Sequence, residues 1–255
     1  MILFKNALVR WPCRNMVNGL STAALGRPDY EKALAQHEAY VQALRSCGLD
    51  VTVLAADETH ADSVFVEDTA VLSERVAVIA RPGVPSRLGE EKAVAAALRS
   101  HYPRLEAITA PGTLEGGDVF RAGDHFFIGI SGRTNPEGAR QLAKILQKQG
   151  YAATSVPLRA VLHLKTGVAY LENDRLLACG EFLDQPLLSG FQIVPVAVAE
   201  AYAANSIWIN GRVLVPAGFP QTRKNIEAFG YEVVPVDVSE FRKLDGGLSC
   251  LSLRF

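Results

Sequence analysis

The sequence predicts an α/β fold built from five repeated units set radially about one axis, and three observations predict it. A short run rich in β-branched and apolar residues recurs at 51–54, 108–110, 153–157, 191–196 and 233–237. Each run is followed by a polar cluster that enters a second strand-like segment, at 62–72, 113–120, 161–171, 204–209 and 245–253. One polar residue from each cluster (Asp68, Glu115, His163, Asn205, Cys250) gives spacings of 47, 48, 42 and 45 residues. Such a period marks one supersecondary unit repeated because no single copy can bury its own face.

The helices follow in chain order. Tyr30, Leu34, His37, Val41 and Leu44 share one face at helical spacing, with Pro28 near the start and Gly48 as the stop. Residues 90–100 and 221–229 read as shorter helices. Thr134 and Glu137 form a capping box ahead of Leu142, Ile145 and Leu146, with Gly150 ending that helix. Each unit therefore reads strand, strand, helix, strand. Radial repetition of such units protects sheet edges and brings equivalent loops together at the centre. No Pro-, Gly- or Ser-rich linker divides the chain, so 1–255 reads as a single domain.

The chain has 255 residues, 49% of them hydrophobic, which is ample for a buried core. With 26 basic and 27 acidic side chains the net charge is −1, too little positive field for nucleic acid to be the main partner. The longest strictly apolar run, 93–98, is far short of the roughly 18 residues a membrane span needs, and Lys5 interrupts the N-terminal apolar stretch. The expectation is a cytoplasmic protein without a leader or a membrane partner. Cys13, Cys47, Cys179 and Cys250 are scattered with no CxxC pair, which argues against a disulfide framework and a thiolate zinc site.

Cys13, Cys47 and Cys179 read as packing. Cys250 differs, because it follows Asp245-Gly246-Gly247-Leu248-Ser249, where a glycine pair permits close backbone approach or positive φ. His163 lies between apolar residues on a predicted strand; His37 reads as packing, and His60, His101 and His125 as solvated loop or turn residues. Two acidic clusters, Phe65-Val66-Glu67-Asp68 and Leu114-Glu115-Gly116-Gly117-Asp118, stand at equivalent repeat positions. Buried carboxylates need a cation, and no His or Cys is spaced with them as metal ligands, so an organic cation is the expected occupant.

These motifs, with His163-Leu164-Lys165-Thr166-Gly167, occur in the order and spacing of the dimethylarginine dimethylaminohydrolases, and over essentially the whole chain the sequence resembles that family of the guanidine-modifying superfamily. The resemblance implies a five-bladed, pseudo-five-fold symmetric α/β propeller that hydrolyses methylated arginine to citrulline without cofactor or metal, and it implies a homodimer. It assigns Cys250 as nucleophile, His163 as general acid and base, and Glu115 as the carboxylate beside that histidine. Glu67 and Asp68 match the guanidinium-binding pair. Asp62, with the backbone carbonyls of Leu20 and Leu244, matches the holder of the α-amino group, and Arg87 and Arg133 match the clamp on the α-carboxylate. Residues 18–26 resemble a mobile lid.

The chemistry is coherent on physical grounds. Carboxylates at Asp68 and Glu115 can fix a guanidinium plane through paired hydrogen bonds, and the bound cation in turn favours a thiolate at Cys250. An arginine deiminase would use the same residues but usually carries an additional helical domain, for which this chain has no spare segment. A silent arginine-binding protein would need the clamps but neither Cys250 nor His163. A papain-like protease would place its cysteine near the N-terminus.

Overall fold

The computed structural model describes residues 3–255. Central strand β1 (Asn6–Arg10) pairs in parallel with β2 (Asp50–Leu54) after the intervening helix α1 (Tyr30–Ser46). Its other edge is taken, antiparallel, by Leu253–Arg254. The second sheet holds β3 (Ala70–Leu72), β4 (Ala77–Ile79) and β5 (Leu105–Ala107), with α2 (Glu91–Leu98) before the last. The third repeats this with β6 (Val119–Ala122), β7 (His125–Ile130), α3 (Pro136–Lys148) and β8 (Ala152–Pro157). A single helical turn, α4 (Leu164–Gly167), leads into β9 (Val168–Tyr170), β10 (Arg175–Ala178) and β11 (Gln192–Pro195). The last sheet holds β12 (Ile207–Ile209), β13 (Arg212–Pro216), α5 (Pro220–Ala228) and β14 (Glu232–Val236). The short helix α6 (Ser239–Arg242) then leads to the closing strand, β15 (Leu253–Arg254).

Five three-stranded sheets, each with one antiparallel and one parallel pairing, make the expected five-bladed α/β propeller. Blades meet through β15 with β3, β6 with β9, and β9 with β12. The fourth blade departs from the predicted unit, since two short 3₁₀ turns (Gly180–Phe182 and Pro186–Leu188) stand where the others carry a helix. The strand expected at 108–110 forms at Leu105–Ala107, paired in register with Ala77–Ile79. Among the described residues no helix is long and apolar enough to cross a membrane.

A larger correction concerns the polar clusters. Each opens its blade as a short helical turn rather than as strand: Val66–Thr69, Gly116–Asp118, Leu164–Gly167, Val198–Ala204 and Ser249–Leu251. The strands that follow have only two to four residues, too few to impose alternation on what precedes them.

Two helix starts show how local chemistry sets the frame. Asp29 caps α1 by accepting from the Lys32 amide at 3.0 Å, and Gly48, at φ +87°, ends it. For α3 the cap is Asn135, whose side chain accepts from Gly138 N at 2.8 Å with Pro136 in the first turn. The expected Thr134–Glu137 box does not form. Thr134 instead accepts from the Glu115 amide at 3.1 Å, and Glu137 pairs with Arg140.

The buried face of α1 carries Ala33, His37, Tyr40, Val41 and Leu44, with Leu34 turned to its margin. Tyr40 donates to the carbonyl of Leu248, so this helix supports the loop that carries Cys250. His37 is fully buried between Trp11 and Phe241, as packing requires, and neither ring nitrogen finds a partner among the described residues. Two histidines expected in solvent are held instead. His60 Nδ1 lies 2.8 Å from Asp57, and His125, on β7, stacks on Phe127 and bonds Thr154.

Burial depresses His37 to a pKa of about 4. The folded state then binds fewer protons than the unfolded chain, so the contribution is present above pH 6.5 and is lost as the pH falls through 4. His37→Phe is expected to remove part of the acid sensitivity, worth about 3 kcal/mol at full protonation. The measurement is the drop in Tm between pH 7 and pH 4 in both proteins; an equal drop in the two rejects the account.

Candidate active site

Cys250, His163, Glu115 and Asp68 come from four different blades, each on or beside the turn that opens its blade. His163 caps α4, and its Nε2 lies 2.8 Å from Glu115 Oε2. The other Glu115 oxygen accepts from the Gly83 amide at 3.1 Å and faces Arg133 at 3.4 Å. Asp118 fixes the same turn by accepting from Leu164 N at 3.0 Å and from Ser131. Asp68 accepts from Gly117 N at 2.9 Å on one oxygen and from Arg87 at 2.7 Å on the other. Arg87 is held in turn by Glu90 through Nε and Nη2, and by the carbonyl of Phe65.

Eight of the ten predicted site residues line one cavity of about 180 Å³: Leu20, Asp62, Asp68, Arg87, Arg133, His163, Leu244 and Cys250. The remaining two lie behind its surface. Glu115 is completely buried with both oxygens engaged, which suits a partner of His163 and not a direct grip on a guanidinium plane. Glu67 does not line the cavity, contrary to expectation. Its carboxylate is held by Lys165 at 2.6 Å, Arg254 at 3.2 Å and the Ser249 hydroxyl at 2.6 Å, three residues that line a second cavity of about 610 Å³. A 3₁₀ turn rotates successive side chains by about 120°, so the neighbours Glu67 and Asp68 diverge.

Residues 20–22 fold over the cavity. The Leu20 amide donates to Asp62 at 3.0 Å, Ser21 Oγ to the Lys243 carbonyl at 2.6 Å, and the Thr22 amide to Asp245 at 2.5 Å. The positive φ in the nucleophile loop belongs to Asp245, and the glycines serve close approach: a Cβ on Gly246 would enter the Phe65 ring.

The electrostatics separate the groups. Burial pushes Asp68 up, but Arg87 and His163 more than offset it and hold the carboxyl at about 2. Burial pushes His163 down, yet Asp68, Glu115 and Asp118 raise it to about 9. Cys250 is pushed up to about 12, first by burial and then by Glu67 and Asp68. Asp62 is raised by burial against the pull of Arg87. Without a ligand the pair is thus thiol and imidazolium. Ligand-type atoms of Asp68, Glu115 and His163 lie within 4.8 Å of one another, but Arg87 and a protonated His163 already balance those carboxylates.

Sequence reasoning missed Glu90, which orients Arg87, and Asp118, which fixes the His163 turn. An arginine and a glutamate three residues apart was the available signal for the first; the second stood inside a quoted motif without a role.

A family model described as "N,N dimethylarginine dimethylhydrolase, eukaryotic" matches residues 26–252. An N(G),N(G)-dimethylarginine dimethylaminohydrolase of Pseudomonas aeruginosa is 52% identical over 254 residues, covering 99% of this chain and 100% of its own. A dimethylarginine dimethylaminohydrolase with histidine replaced by glycine, solved as its adduct with S-methyl-L-thiocitrulline, superposes with a TM-score of 0.98 at 52% identity, over 99% of this chain and 100% of that one. A cysteine-to-serine variant of the Pseudomonas aeruginosa protein bound to citrulline also gives 0.98, at 51% identity over the whole of both chains.

Proposed function

The chain belongs to the dimethylarginine dimethylaminohydrolase family, and on that footing we propose that it hydrolyses Nω-methylated arginine to citrulline and a methylamine through Cys250. The observation that carries the reading is the gathering of Cys250, His163 and Asp68 around one small cavity, with Glu115 against the imidazole.

A guanidinium resists attack because three nitrogens share its charge. Asp68 supplies the negative charge that holds it in place, and each of its oxygens has capacity beyond the one bond it already accepts. The arriving cation lowers the cost of a thiolate, so the Cys250 proton leaves to solvent and the sulfur becomes nucleophilic only when substrate is present. Sulfur bonds to the guanidinium carbon; the carbon–nitrogen bond to the methylated nitrogen then breaks as His163 gives that nitrogen its proton. The resulting S-alkylthiouronium is attacked by water, from which the now neutral His163 takes a proton. Collapse forms the carbonyl, breaks the carbon–sulfur bond and releases citrulline, the hydroxyl proton passing to the departing sulfur so that the resting thiol is restored. Glu115 keeps the imidazole oriented throughout.

At the other end of the substrate, Asp62 with the carbonyls of Leu20 and Leu244 takes the α-ammonium, and Arg133 takes the α-carboxylate; Arg87, expected in the same clamp, is held by Asp68, Glu90 and the Phe65 carbonyl and braces the guanidinium end instead. Agmatine, which lacks that carboxylate, would leave Arg133 with only its long contact to Glu115 in a closed site. The test is turnover of asymmetric dimethylarginine, monomethylarginine, arginine and agmatine side by side. Both methylated arginines are expected to be converted, and agmatine to show a kcat/KM lower by roughly 10²-fold or more. Preference for unmethylated arginine overturns the substrate class, and tight binding without product from any of the four overturns the hydrolase reading.

A further inference from the structure

Asn205 holds in its blade the place that Asp68, Glu115, His163 and Cys250 hold in theirs, yet it does not line the small cavity and the chemistry above leaves it without a task. We propose that Asn205 is a positioning residue that sets the separation of Cys250 from His163. The inference rests on that cysteine and histidine being the reacting pair.

One planar carboxamide makes three bonds to two turns. Asn205 Nδ2 donates to the carbonyl of Lys165 at 2.9 Å and to Ser249 Oγ at 2.9 Å, while Oδ1 accepts from Ser249 N at 2.9 Å. Lys165 lies two residues beyond His163 in the same turn, and Ser249 immediately precedes Cys250. The distance between sulfur and imidazole is therefore spanned by a rigid amide between the two backbones that carry them.

The tie is closed into a ring. Ser249 Oγ donates to Glu67 Oε2, and Lys165 Nζ meets Glu67 Oε1, so Asn205, Lys165, Glu67 and Ser249 brace one another. Asn205 and Ser249 are buried, where an unmade hydrogen bond costs most. The second glycine of the nucleophile loop follows from the same contact, because a Cβ on Gly247 would strike the Asn205 carboxamide. Aspartate in this place could not donate to both acceptors, and glutamine would be one methylene too long.

Asn205→Ala and Asn205→Asp are compared with the wild type in turnover of dimethylarginine, and Asn205→Ala also in alkylation of Cys250 by iodoacetamide, the other three cysteines being buried. Both variants are expected to lose about 100-fold in kcat, the cost of a misplacement near 1 Å. KM should stay within threefold, since Asn205 touches no substrate. In Asn205→Ala the alkylation rate should also stay within threefold, since a small neutral reagent needs no particular alignment with His163 and no charge has been added beside the thiol. A purely structural role would instead lower the number of titratable thiols and leave kcat per titrated thiol unchanged. That outcome, a loss expressed in KM, or turnover and alkylation falling together overturns the proposal. If Asn205→Ala does not fold, Asn205→Asp carries the test through its kcat and KM, because it keeps the volume and the acceptor for Ser249 N; its alkylation rate is not compared, since the added carboxylate itself disfavours the thiolate. Ser249→Ala, which removes one of the three bonds, should fall between, and wild-type kcat in it also counts against the proposal. Wild-type protein inactive on every methylarginine is a failure of the proposed reaction, visible before any variant is made.

Discussion

Cys250→Ser is expected to abolish turnover, by roughly 10⁴-fold or more, while leaving the fold in place. The thiol is already pushed up to about 12 by burial and by Glu67 and Asp68, so even sulfur ionises only with the substrate cation beside it. A serine hydroxyl is far less acidic, and His163, protonated in the resting site with Glu115 holding its Nε2, is not available to take the proton. The oxygen is smaller than the sulfur it replaces and brings no clash, and the loop keeps its supports from Tyr40 and Asn205. Citrulline formation and thermal denaturation check the two parts together. Residual activity above about 1% of wild type would remove the covalent step from the scheme.

The second large effect belongs to His163→Ala, which is expected to stall the reaction at the covalent stage. Two proton transfers depend on the imidazole, one to the departing amine and one from water. With dimethylarginine both suffer, so steady-state turnover should fall by roughly 10²- to 10⁴-fold. A substrate whose leaving group is a thiol needs no acid to depart, so S-methylthiocitrulline should acylate Cys250 and remain there as an adduct of one equivalent in the intact mass. A relative with histidine replaced by glycine has been solved as an adduct with that compound. Full activity of the variant with dimethylarginine, or an adduct that hydrolyses at the wild-type rate, would take His163 out of the reaction.

The repeat was legible because each unit sets one polar residue at the start of a strand, and five such residues at nearly even spacing survive the noise of any one blade. The helices were legible from their stripes and stops. What misled was local: at three residues or so, the strands after each cluster cannot display alternation, so helical turns were taken for strand. Glu67 and Asp68 show the cost. Read as one acidic pair, they looked like one function, whereas the 3₁₀ turn sends Asp68 into the small cavity and Glu67 behind the nucleophile loop. Thr134 illustrates a second kind of blindness. As a cap candidate it competed with Asn135, and the Asn-Pro pair is the better start; its hydroxyl was then free to hold the backbone of Glu115. Asp118 acts through a hydrogen bond to Leu164 that exists only once neighbouring blades are assembled, which no local pattern encodes, whereas the Arg87–Glu90 pair is local and its three-residue spacing was legible.

The seam between β1 and β15 joins opposite regions of the chain, and Asp68, Glu115, His163 and Cys250 are each separated from the next by more than forty residues of sequence. Such closures are entropically late, because long loops must be ordered before any cross-axis bond rewards them. A partly folded molecule therefore has no fragment of catalysis to misuse: sulfur, imidazole and the substrate-holding carboxylate meet only when the ring shuts, and catalytic competence arrives in one step with the completed topology.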